Sequence, residues 1–386
     1  MATTFKTFLN NDIVSSRTLL HEAIPITGTI VSGTYDALAA GGPQNVKNYS
    51  HKMFSSVYDY PYLSSSANHI LDITMGYSAK SRLSSSTPDA HGSSTDQQKK
   101  KINIYNEMAQ VLVGYDVSGN IQQFDADGNI LGGGTKLDAC FFINLARLLT
   151  KDEIKKGSFN ISFVSGGVPA KRVGNEMTIS DTDAETNYKV NSPAGEYGIL
   201  KVSSVPSTLG HTVGDAVGLI YYQAGIAVLT SSVFANSGSV DPAGSKAWRI
   251  QEHPSFGSFA PNTAGAHEAN QTGNVAATMF THSIQNNADA VRNQLYNLSF
   301  NNTTELNSSI YFCRANHNDF NYSTNPTYLN SSKIVVKNNT LENPVTYATT
   351  IGLYSADNEL LAVAKLSEPI KKDPTNELTF RVRLDY

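Results

Sequence analysis

Charge is what this sequence has least of. Asp, Glu, Lys and Arg supply 16% of its 386 residues, where an ordinary globular chain carries about 25%. Ser, Thr, Asn, Gly and Tyr fill the gap. A polar surface of low charge suits a chain that covers itself with partner chains better than one kept apart by repulsion. The 29 basic and 33 acidic groups leave a net charge of −4, and no basic block is longer than Lys99, Lys100 and Lys101. The electrostatic footprint of direct nucleic-acid binding is therefore missing.

Long apolar runs are equally scarce. The longest, residues 216–229, is interrupted by Gly218, Gln223 and Gly225 and falls short of the ~20 residues that span a bilayer. No membrane insertion is expected. The start Met1-Ala2-Thr3-Thr4-Phe5 has neither the basic and apolar segments of a secretory leader nor a small-residue cleavage site, so synthesis and retention in a cytoplasm are expected. The two cysteines, Cys140 and Cys313, sit in apolar contexts and read as buried free thiols, with a disulfide or a reactive thiol left open.

Motifs of turnover chemistry are absent too. Gly128 and Gly133 have phosphate-loop spacing, but Gly134 and Thr135 follow where Lys and Ser or Thr are required, and Lys136 comes too late. No Gly-x-Gly-x-x-Gly and no Gly-x-Ser-x-Gly occurs. The histidines at 21, 51, 69, 91, 211, 253, 267, 282 and 317 form no metal-binding spacing. Asp125-Ala126-Asp127-Gly128-Asn129 imitates the start of a calcium loop, yet Lys136 stands where the distal glutamate belongs, which favours a plain turn. Asp181, Asp183 and Glu185 read as a solvated acidic loop. No catalytic, cofactor-binding or metal residue is nominated, and the chain is expected not to be an enzyme.

What is present is β pattern and turn chemistry. The expected class is mainly β with a smaller helical portion, an α+β arrangement of several β-sandwich-like domains joined by extended arms. Residues 1–101 read as an extended N-terminal arm and strands, with a Ser-rich loop at 78–101. Residues 102–157 read as a helical segment with an inserted hairpin: Ile104, Met108, Val111 and Leu112 keep helical spacing, as do Phe141, Leu145, Leu148 and Leu149, and Thr150 with Glu153 has capping-box spacing. Residues 158–280 read as a β domain whose best hairpin joins 217–222 to 226–229. Residues 281–386 read as a helix, with Ile284, Ala288, Val291, Leu295 and Leu298 on one face, followed by a C-terminal β domain around the turn Ser355-Ala356-Asp357-Asn358. Tyr58, Tyr60 and Tyr62 would share a face on a strand, although Pro61 interrupts them, and they read as a packing ridge or a sugar-stacking row. The span 301–343 holds eleven asparagines, and Phe320, Asn321 and Tyr322 within it read as a turn-built loop docking on a neighbour, or as a merely structural one.

Several segments carry a resemblance. Phe54-Ser55-Ser56-Val57-Tyr58-Asp59-Tyr60-Pro61-Tyr62-Leu63, Ile104-Tyr105-Asn106-Glu107-Met108-Ala109-Gln110 and Phe320-Asn321-Tyr322-Ser323-Thr324-Asn325-Pro326-Thr327 resemble pieces of virion structural proteins of tailed bacteriophages, large marine myovirus-like phages above all. The run from Gly352 to Leu378 resembles the same group. The resemblance implies a particle subunit of the tail, baseplate or neck, with other virion proteins and copies of itself as partners and no cofactor. It implies residence in the virion after synthesis in the host bacterial cytoplasm. It leaves open a head or vertex protein of the same particle, a receptor- or glycan-binding adhesion module, and a hydrolase whose site is assembled by the fold.

Overall fold

The computed structural model describes residues 5–26, 45–81, 96–130, 134–164, 176–205, 211–234, 283–321, 329–330, 333–334, 341 and 344–386. Strand makes up 48% of the structure and helix 14%, the β-rich α+β class expected. The chain divides into two compact units, His21–Thr304 and Met1–Leu20 with Glu305–Tyr386. The division ignores the compositional boundaries at 101, 157 and 280. It falls inside strands β1 (Ile13–Ile26) and β12 (Leu295–Ala315), so no linker composition marks it.

The larger unit is built on one antiparallel sheet. Its strands in chain order are β2 (Val46–Asn48), β3 (Ser55–Tyr58), β4 (His69–Tyr77), β5 (Ala139–Leu145), β6 (Glu153–Ile154), β7 (Asn160–Val164), β8 (Glu176–Ser180), β9 (Tyr197–Ser204), β10 (Ala216–Tyr221) and β11 (Ile226–Thr230). Strands β7 to β11 lie side by side in chain order, and β5, β4, β3 and β2 follow in reverse order after β11 pairs with β5. The hairpin expected at 217–229 is β10–β11, in register from Gly218↔Leu229 to Tyr221↔Ile226, and Gly225 closes its turn by donating to the Tyr221 carbonyl at 2.9 Å.

Two helices reach β4 from opposite faces. Helix α1 (Asp96–Leu112) lies against the Gly76 side, its backbone in contact with that glycine. After the one-turn α2 (Arg147–Thr150), helix α3 (Ile284–Gln294) meets Asn48, which the register places on the face of Ser55 and Ile73. Alternation along β4 puts Ile73 and Gly76 on opposite sides, and both sides of β4 are accordingly buried from Ile73 to Tyr77.

Four expectations fail. Residues 139–145 are not helical: Ala139-Cys140-Phe141-Phe142-Ile143-Asn144-Leu145 is β5, flanked by β4 and β11, and only α2 is helical after it. Thr150 and Glu153 begin no helical turn, since Glu153 enters β6. The arm assigned to 78–101 ends early, because α1 starts at Asp96 and Lys101 is fully buried on it, while residues 82–95 lie outside the described residues. The helix expected to reach 298 stops at Gln294, and the asparagine-rich span opens as strand, β12 continuing through Ala315. Its start is as expected: Ser283 caps α3, accepting from the Asn286 N–H at 3.1 Å, and Ile284, Ala288 and Val291 are buried.

The seam between α3 and the sheet carries a pH dependence. Asn48 Nδ2 donates to the Asp289 carboxylate at 3.3 and 3.4 Å. Burial pushes that carboxyl up to about 6, against the opposing pull of Asn48 and Arg292. A carboxyl that ionises less readily folded than unfolded stabilises the fold only while protonated, so its support fades as pH rises from about 4 through 6. The shift corresponds to about 3 kcal/mol at most. Asp289→Asn is therefore expected to gain on the wild type as pH rises from 4 to 7 in urea melts. A stability difference that does not change with pH would mean the carboxylate is solvated.

Candidate interaction surface

The smaller unit has strands but no enclosed core. Strand β17 (Leu378–Asp385) pairs with β12 from Ser308↔Asp385 to Ala315↔Leu378, and β1 is the other neighbour of β12. Arg314 Nε pairs with the Asp12 carboxylate at 2.7 Å, and Arg17 pairs with Glu305. Beyond a short ribbon of β13 (Leu329–Asn330) and β14 (Lys333–Ile334), the chain forms a long two-stranded ribbon of β15 (Thr346–Tyr354) and β16 (Leu360–Lys372). Its turn is the one expected, with Asn358 in the left-handed region and its N–H donating to the Ser355 carbonyl at 3.1 Å.

Among the described residues of this unit, the buried apolar side chains are Ala315, Val345, Leu353 and Val382, each still 7–8% exposed. The contiguous hydrophobic core of the molecule lies wholly in the larger unit. Meanwhile every residue of β1 from 13 to 20 is exposed, and so are Leu9, Leu360, Leu361 and Val363. A unit of about a hundred residues ordinarily buries well over half of its unfolded surface. This one is held by strand pairing, ion pairs and a lysine clamp: buried Lys372 donates through Nζ to Asn321 Oδ1 at 2.8 Å, the Asp373 carbonyl at 2.9 Å and the His317 carbonyl at 3.2 Å.

The residues singled out from sequence are scattered. Asn321 is buried inside the lysine clamp, its own Nδ2 donating to the His317 carbonyl at 2.7 Å, so it fastens the turn. Phe320, in the left-handed region, leaves half its surface exposed, and Tyr322 lies outside the described residues. Tyr58 ends β3, so Tyr60 and Tyr62 belong to the following loop and the three share no strand face. Tyr58 meets His69 edge-on at 5.6 Å, Tyr62 is half-buried and Tyr60 is exposed. Asp59 closes that loop, accepting from the Asn68 N–H at 2.6 Å and from its Nδ2 at 2.8 Å.

The larger unit gathers polar groups without arranging them for turnover. His69 Nε2 lies 2.8 Å from Asp72 Oδ1, which also accepts from Ser56 Oγ, and the carboxylate holds the imidazole pKa up. A nucleophilic triad needs histidine between serine and aspartate. Here the aspartate stands between the other two. Lys136 neutralises Asp125 within the turn that imitates a calcium loop. Asp181 is the residue sequence reasoning misjudged: it is buried, accepting from the N–H groups of Gly157 and Phe159 and from the Tyr222 hydroxyl, each at 2.9 Å. Nothing in its acidic neighbours signals this. Beside it opens a cleft of about 390 Å³ lined in part by Lys155, Ser158, Asn160, Glu185 and Asn301.

No family model, curated protein or solved structure matches the chain. Its geometry therefore stands by itself. Among the described residues no group of three or more His, Cys, Asp and Glu side chains is placed to hold a metal ion, and no helix is long and apolar enough to cross a membrane. Both cysteines are free, Cys140 buried with its thiol pKa pushed well up by desolvation and Cys313 half-buried. What the described surface offers in quantity is uncovered β structure in the smaller unit, whose chemistry is that of contact.

Proposed function

We propose that this chain is a non-enzymatic structural subunit of a tailed-bacteriophage particle, placed in the tail, baseplate or neck. It is made in the host bacterial cytoplasm and ends in the virion, among other virion proteins and copies of itself. The observation that carries the reading is the smaller unit's want of a core: its exposed strands leave apolar side chains for neighbours to cover. The low charge of the chain and the resemblance of its quoted segments to virion proteins support the same reading. Its mechanism is geometric, each contact of standard size burying about 1,600 Å² between two chains.

Mass spectrometry of purified particles tests this by counting copies per virion. A copy number of six or a multiple of six is expected for a tail location, whereas multiples of five would move the chain to a vertex of the head. Absence from washed particles would overturn the reading.

A further inference from the structure

We infer that the uncovered face of the β15–β16 ribbon is a self-association surface, occupied by the same ribbon of a second copy of this chain across a two-fold axis near residue 362. The inference deepens the assembly reading by naming a partner, and rests on it only for the premise that the smaller unit is covered in use.

Register sorts the ribbon into two faces. Leu353↔Ala362 and Ile351↔Ala364 occupy the better covered one, whereas Thr350↔Lys365, Gly352↔Val363 and Tyr354↔Leu360 are exposed throughout. Leu361, the extra residue where the register shifts, is exposed as well. The Tyr354 ring and Leu360 lie across Gly352, where a Cβ would meet them at 2.9 and 3.1 Å. Phe5 extends the patch, its ring 4.8 Å from that of Tyr354. Five half-exposed side chains, Phe5, Tyr354, Leu360, Leu361 and Val363, offer about 100 Å² each, or about 500 Å² of apolar surface. At an apolar share of about 60%, that is the core of an interface of about 800 Å² per partner, the standard size.

The charges choose the occupant. Asp357 and Glu359 stand at the ribbon's turn, on one side of the apolar patch, and Lys365 stands on the other. Two ribbons laid antiparallel about residue 362 set Glu359 of each opposite the second copy's Lys365, twice by symmetry, while a parallel stack would set like against like. The smaller unit as a whole holds ten basic and ten acidic residues, so no net repulsion opposes the approach of copies. A self-complementary face on a neutral unit fits a second copy.

Sedimentation velocity on the full chain tests the inference, with circular-dichroism melts to show that each variant stays folded. The wild type is expected to form dimers or larger even-numbered species, and Val363→Glu, an exposed change, to shift it toward half that mass with an unchanged melt. Glu359→Lys or Lys365→Glu alone reverses two symmetry-related pairs and is expected to weaken association about tenfold, and the double reversal to restore it. A wild type that stays monomeric, a Val363→Glu variant that sediments as the wild type, or a double reversal no better than the singles would overturn the inference. Those results leave the virion reading to the particle count, and a chain absent from particles yet dimeric by these tests would sink that reading alone.

Discussion

Replacing Gly76 by alanine is expected to destabilise the larger unit by about 3 kcal/mol, read as a fall in the denaturation midpoint at unchanged slope. A Cβ at this position would stand 2.6 Å from the Lys101 carbonyl oxygen and 2.8 Å from the Tyr105 nitrogen. Both are backbone atoms of α1, so no rotamer change relieves the overlap. Nor can β4 retreat, since β3 and β5 hold its two edges, with Gly76 in register with Cys140. The helix must lift instead. Lifting it disturbs the burial of Ile104, Ala109 and Leu112, the 2.8 Å bond from the Tyr105 hydroxyl to the Leu137 carbonyl, and the edge-on contact of the Tyr105 and Phe124 rings at 5.5 Å. Gly119→Ala is the control, because a Cβ there meets nothing within 4 Å and only its left-handed backbone resists, at a cost of about 1 kcal/mol. If the two variants melt alike, α1 does not rest on Gly76.

Where the sequence was readable, two signals agreed. The β10–β11 hairpin pairs apolar runs with a glycine turn, and the β15–β16 ribbon flanks a turn whose Asn358 takes the left-handed backbone. Where it misled, one period imitated another. The seven residues of β5 are almost all apolar, and a strand buried on both faces has no alternation to show. At the end of α3, Leu295 and Leu298 kept helical spacing for a different reason: the register of β12 against β7 shifts between Leu295 and Asn297, so both leucines are buried three residues apart within a strand. The interaction surface was hidden by a subtler ambiguity. Leu378, Phe380, Val382 and Leu384 alternate as a half-buried strand should, yet Val382 alone is buried. Alternation states that a face seeks cover; it does not say whether the cover comes from the same chain.

Asp181→Ala is expected to cost the larger unit about 3–5 kcal/mol, because one truncation strands three donors at once. The carboxylate accepts from two backbone N–H groups and a hydroxyl, and Gly157, Phe159 and Tyr222 have no other acceptor for those donors among the described residues. Each donor left unpaired inside the fold costs about 1–3 kcal/mol. Tyr222 could not turn elsewhere easily, since its hydroxyl stands over Gly198 and its ring faces the Lys156 ammonium at 5.8 Å. Asp181→Asn keeps the volume and one acceptor oxygen but points an amide at the remaining donors, so an intermediate loss is expected. The two variants also separate by pH. Burial raises the Asp181 pKa despite the three donors, so the wild type loses part of this support as pH rises through the folded-state pKa, and the amide does not. The deficit of Asp181→Asn should therefore narrow from acid to neutral pH in urea melts. An alanine variant within about 1 kcal/mol of the wild type would mean that water takes over all three donors.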